Sequence, residues 1–99
     1  MSISLFSAVT ATGAQSKLDR NAARTVQVSG KTTSGTGAAT VNIEVSNDGN
    51  NWLNLGTITL TLGTTETSDG FAFDATWAYV RGNVTSISGT GASVSGYIS

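Results

Sequence analysis

Cysteine, histidine and proline are all missing from these 99 residues. Without cysteine there are no disulfide staples and no thiolate nucleophile, and without histidine the commonest general base and metal ligand is gone. The lack of proline leaves every residue able to donate its backbone N–H to a sheet ladder. Charge is also scarce: charged residues make up 11% of the chain and the formal net charge is −1. So weak a charge, with no basic patch interleaved with aromatics, disfavours nucleic acid as a partner. Long apolar runs are absent as well. The opening MSISLFSAVTATGAQ has no basic start and its apolar residues are broken by serines, so neither a secretory signal nor a membrane span is expected. No membrane partner is expected either, and manufacture in a cytoplasm is.

What the chain does contain is a strand-forming composition. Hydrophobic residues make up 38%, Val, Ile and Thr are spread along its length, and 12 glycines supply turns. A chain of this length forms one core. Alternation is clear in TVQVS, where Val26 and Val28 share a face, and in TVNIEVS, where Val41, Ile43 and Val45 oppose Asn42 and Glu44. In WLNLGTITLTL the apolar frame moves by one residue near Gly56, which predicts a bulge or a bend. The fold class expected is all-β, an antiparallel sandwich resembling a jelly roll, with about seven or eight short strands. Within that single domain, residues 1–24 read as an N-terminal strand and basic arm and residues 25–99 as the sandwich body. Residues 15–24 read as a loop or a single helical turn, and 30–40 as a protruding connection. The sequence SGTGA occurs at 34–38 and again at 88–92, a turn solution used twice.

Residues 1–31 carry a net +3 and the remainder −4, so a basic segment docking on an acidic surface competes with chance scatter. The most polar stretch is SNDGNNW, residues 46–52. A calcium loop needs several carboxylates at alternate positions and this one has Asp48 alone, so no metal is expected. Asp48-Gly49 instead signals a two-residue hairpin turn, with Trp52 closing the end of the core. Catalysis is not expected: no base serves the serines, and the carboxylates Asp69 and Asp74 read as solvated charges. Arg81 is expected to pin a corner by pairing with Asp74 or Asp69, with an anchor at an interface as the alternative. Trp52, Trp77, Tyr79 and Tyr97 could stack on a sugar, although a small sandwich needs such residues for its core.

The runs VNIEVSNDGNNWLNLGTITL and SDGFAFDATWAYVRGNVTSISGTGASVSGYIS, covering residues 40–99, resemble a group of small structural proteins of tailed bacteriophages. The resemblance implies a virion component: a capsid decoration (cement) protein that stabilises the head by bridging major capsid subunits, associating as a homotrimer and needing no cofactor. It also allows a tail or fibre accessory module that binds host-surface carbohydrate. On this reading Ile3, Leu5, Phe6, Lys17, Arg20 and Arg24 are the expected contacts with capsid or neighbouring subunit. Asp48, Gly49, Trp52, Trp77 and Arg81 are the expected turn and core residues.

Overall fold

The structure, a computed structural model, describes residues 3–19, 24–73 and 77–99. Among the described residues nine strands follow in order: β1 (Ile3–Val9), β2 (Gly13–Ala14), β3 (Leu18–Asp19), β4 (Thr25–Lys31), β5 (Ser34–Ser46), β6 (Leu53–Leu62), β7 (Thr67–Ala72), β8 (Tyr79–Thr90) and β9 (Ser93–Ile98). The described residues contain no helix. One sheet has the order β1-β9-β4-β7; in the other, β2-β8-β5-β6, β3 also pairs with β8. All pairings are antiparallel. Because β2 and β3 meet β8 in nearly the same register, they act as one interrupted strand. Counted so, eight strands take the order of a jelly roll, switching sheets at each connection except the one between β5 and β6, which pair in one sheet.

The alternating residues meet between the sheets. Val41, Ile43 and Val45 on β5, Ile58, Leu60 and Leu62 on β6, and Val80 and Val84 on β8 face Val26, Val28, Val94 and Ile98, all of them buried. Burying each such side chain contributes about 1.5–3 kcal/mol, which must offset the entropy of ordering the strands. The expected bulge is present: Ile43 pairs with Gly56 and Glu44 with Asn54, leaving Leu55 as the extra residue. That offset explains why Ile58, Leu60 and Leu62 point inward while Leu53 is exposed.

Three expectations change. Residues 3–19 do not form a separate arm, because β1 pairs with β9 and β2 and β3 pair with β8. Residues 30–40 do not protrude: Lys31 ends one strand, Ser34 begins the next, and Thr32 Oγ1 donates to the Gly35 carbonyl at 2.7 Å to close the turn. The two SGTGA stretches lie against each other, with Ser34 opposite Thr90 and Ala38 opposite Ser88. Any side chain at Gly37 would strike the Ser88 carbonyl, so glycine is required where the copies cross.

Leu5 and Phe6 were expected to touch a neighbouring subunit, and both are buried in the core. A register shift between Ser4 and Phe6 lets two successive residues of β1 turn inward. The Phe6 ring fills the space left by Gly82 of one sheet and Gly96 of the other, and a Cβ on either glycine would overlap it. Phe6 therefore ties the two sheets together. Ile3 is half-buried against the same core.

Candidate functional site

The polar loop between β5 and β6 and the outer face of the neighbouring strands form the most elaborated surface. The loop is not the expected two-residue hairpin turn, since β5 ends at Ser46 and β6 begins at Leu53. Asp48 organises it. Its Oδ1 accepts from the Ser46 hydroxyl at 2.8 Å and from the N–H groups of Asn50 and Asn51 at 2.9 Å each, and its Oδ2 accepts from the Asn51 side-chain amide at 2.7 Å. The buried Ser46 oxygen in turn accepts from the N–H groups of Asp48 and Gly49 at 3.2 and 2.9 Å. Gly49 takes a φ of 79°, a conformation that suits glycine. The N–H of Asn51, then that of Asn50, then the Asn51 side chain and the Ser46 hydroxyl hold the Asp48 carboxyl well below the usual carboxylate range. The carboxylate thus serves the loop's own backbone.

Lys17 was expected to meet another protein, yet its ammonium donates to the Gly49 carbonyl at 3.4 Å and stands 5.1 Å from the centre of the Tyr79 ring. It braces the loop from the side. Asn47 Oδ1 accepts from the Ala78 N–H at 3.4 Å and fixes the loop to the entry of β8.

Arg81 does not pair with Asp69, and Asp74 lies outside the described residues. Its Nε donates to Glu44 Oε1 at 2.6 Å, and Asn83 Nδ2 donates to Glu44 Oε2 at 3.3 Å. Strand register accounts for this, because Glu44 is directly opposite Arg81 in the β5–β8 ladder. The Arg81 guanidinium also covers the Trp52 ring, 4.2 Å from its centre. Trp52 accordingly does not close the core as expected; Trp77 packs there instead, half-buried. On the same sheet, Thr57 Oγ1 donates to Asn42 Oδ1 at 2.8 Å, a side-chain bond from β6 to β5. A shallow groove of about 310 Å³ runs beside this platform, lined by Asn47, Asn51, Trp52, Leu53 and Trp77 among others. Leu53, 57% exposed, stands on its rim.

Of the remaining expected contact residues, Arg24 does not join this surface. Arg24 is exposed at the entry of β4, where its N–H donates to the Ser99 carbonyl at 2.8 Å, and Arg20 lies outside the described residues. The Arg81–Glu44–Trp52 cluster was missed from sequence, although Glu44 on the outward phase of a strand opposite a lone late arginine was a usable signal.

The PBSX exported protein XepA, known from a crystal structure, shares the fold with a TM-score of 0.55 at 14% identity. The likeness covers 99% of this chain and 36% of XepA, so the chain spans little more than a third of that protein's length. No curated protein matches the sequence. A family model described as the Mo-co oxidoreductase dimerisation domain matches residues 1–88. The residues present do not fit the molybdenum cofactor of that name: the sequence has no cysteine or histidine, and the described residues bring together no group of three or more His, Cys, Asp or Glu. The expectation that this chain is not an enzyme is nevertheless corrected by the match, because the family is the dimerisation domain of oxidoreductases, which are enzymes, although the domain alone is non-catalytic. With β1 to β7 and most of β8 inside the match, the chain belongs to the Mo-co oxidoreductase dimerisation domain family.

Proposed function

We propose that this chain is an adhesion module of a tailed-phage particle, a jelly-roll domain that decorates the head, bridges major capsid subunits and associates with copies of itself. The observation that carries the reading is the Trp52–Arg81–Glu44 platform with Leu53 exposed at its rim. Tryptophan and arginine are the residues most enriched where interfaces concentrate their binding energy, and an exposed leucine beside them supplies apolar area to bury. The Glu44 carboxylate holds the guanidinium in place before any partner arrives, which lowers the entropy cost of docking. Support comes from three directions. The motifs of residues 40–99 resemble those of phage structural proteins, the family is named for dimerisation, and the fold is shared with an exported protein of the phage PBSX. The family's name favours a dimer over the trimer that the phage resemblance implies.

The test is co-sedimentation of the purified protein with capsid shells that lack it, followed by imaging of the particles. Saturable binding at hundreds of copies per shell, weakened at least tenfold by Leu53→Asp or Arg81→Ala in variants that stay folded, is the expected result. Absence from shells, or binding indifferent to both variants, overturns the reading.

A second reading draws on the groove itself. Two tryptophans and the amides of Asn47 and Asn51 around an apolar floor are what a stacked sugar ring requires. Glycan-array binding that disappears in Trp77→Ala, in the absence of shell binding, would favour a tail or fibre accessory module.

A further inference from the structure

The two sheets have four edges, and they are not alike. The β2 and β3 edge is interrupted and flanked by Lys17 and Asp19. The β7 edge carries Asp69 and follows Glu66. The β1 edge has two register shifts and an Ala8 φ of 50°, which bend it out of a regular ladder. Shortness, charge and irregularity are the devices by which sheet proteins keep their edges from pairing. β6 has none of them from Gly56 to Leu62: the whole strand is ten residues without a charge or a proline, and its one bulge lies at the start.

We infer that β6 is the contact between two copies of this chain, pairing antiparallel with its own symmetry mate about a two-fold axis at Thr59 to join the two β2-β8-β5-β6 sheets into one. This rests on the reading of the chain as a self-associating module and names the surface that does it. The orientation of the backbone is right. Thr67 Oγ1, beyond the end of the strand, donates to the Thr61 carbonyl at 3.1 Å, so the backbone groups of Thr61, and with them those of Thr59 and Thr57, point away from β5. The Thr61 carbonyl keeps a second lone pair for a partner strand.

The side chains are self-complementary in that register. Thr59 meets Thr59, Thr57 meets Thr61 on the solvent face, and Ile58 meets Leu60 on the core face. Thr57, Thr59 and Thr61 are exposed while Ile58 and Leu60 are buried, so both faces of the joined sheet continue without a mismatch. A shift of one residue would bring threonine against the apolar face and is excluded, and among the registers that keep the faces matched the axis at Thr59 is the one that pairs the whole of Gly56–Leu62 with its copy. Because a two-fold contact sets the strand against its own copy, with only the axial residue facing its own image, an uncharged strand avoids the like-charge repulsion that Asp69 would bring near the middle of β7.

The experiment uses Thr59→Lys and Thr59→Cys. Thr59 is exposed, so neither change disturbs the core. Wild-type protein should sediment at twice the monomer mass at high micromolar concentration. T59K, which sets two ammonium groups against each other, should fall to the monomer mass and melt as the wild type does at dilutions where it too is monomeric. T59C provides the only thiol in the chain, and mild oxidation should convert it to a disulfide-linked dimer, since paired Cα atoms at about 5.5 Å lie within disulfide reach. Gln27→Cys, exposed on the opposite sheet, should remain monomeric under the same oxidation. A monomeric wild type, a T59K that stays dimeric, or equal crosslinking of T59C and Q27C overturns the inference. If any of these occurs while the protein still binds shells through Leu53 and Arg81, the edge contact is refuted and the adhesion reading stands. Loss of shell binding alone removes the adhesion reading and leaves the dimer to be judged by its mass.

Discussion

The guanidinium of Arg81 stands 4.2 Å from the centre of the Trp52 ring while its Nε is held by Glu44 at 2.6 Å. One cation thus ties the β5–β6 loop to the outer face of the sheet. A double-mutant cycle of Trp52→Leu and Arg81→Met, followed by chemical denaturation, should give a coupling of about 0.5–1 kcal/mol, the range for a cation over an aromatic face at a partly exposed site. Additive effects would show that the ring and the cation do not interact.

Phe6 provides a sharper stability test. Phe6→Ala should cost about 3–5 kcal/mol, since neither sheet can collapse into the space between Gly82 and Gly96. Gly96→Ala should also destabilise, by about 1–3 kcal/mol, because the added methyl overlaps the ring. Combining them should recover part of the loss, as the methyl then occupies vacated space, and thermal melts of the three variants check this.

The acid limb of stability reports on Asp48. Its carboxyl is depressed from an ordinary value of 3.8, so the unfolded chain takes up the proton more readily than the folded one. The contribution is therefore present above that value and is lost as pH falls toward the lower folded one. Melting temperature should drop for wild type as pH goes from about 4 to about 2, and more steeply than for Asp48→Asn, which has no carboxyl to protonate. Parallel slopes for the two proteins would contradict the assignment.

Ser46→Ala removes the hydroxyl that accepts from the N–H groups of Asp48 and Gly49 at a buried position. A loss of about 1–3 kcal/mol is expected, the cost of leaving buried donors unpaired. Hydrogen exchange at the Gly49 amide should quicken in the same variant.

The strands were legible wherever one face is buried. Val41, Ile43 and Val45, the break in phase at Gly56 and the buried Val26 and Val28 all follow from period-two alternation. Leu5 and Phe6 were misread because both point inward from a bulged strand, and adjacent apolar residues at a chain start look like a sticky arm. A deletion of residues 1–14 would accordingly remove β1 and its aromatic clasp rather than a docking segment. The two-residue turn at Asp48-Gly49 was misread for a different reason. Ser46 and the asparagines offer side-chain partners to backbone N–H groups, which makes a longer loop as good a solution as a tight one. Partner choice for Arg81 depended on strand order, and sequence proximity pointed to the acids nearby instead of to Glu44 across the ladder.

Ile3 lies directly opposite Ile98 in the β1–β9 ladder. Anything fused ahead of the first strand or behind the last would emerge from neighbouring points on the same sheet. A short flexible linker could join those two points and new ends be opened at an exposed turn such as Thr64–Thr65, giving a permuted chain with the same two sheets.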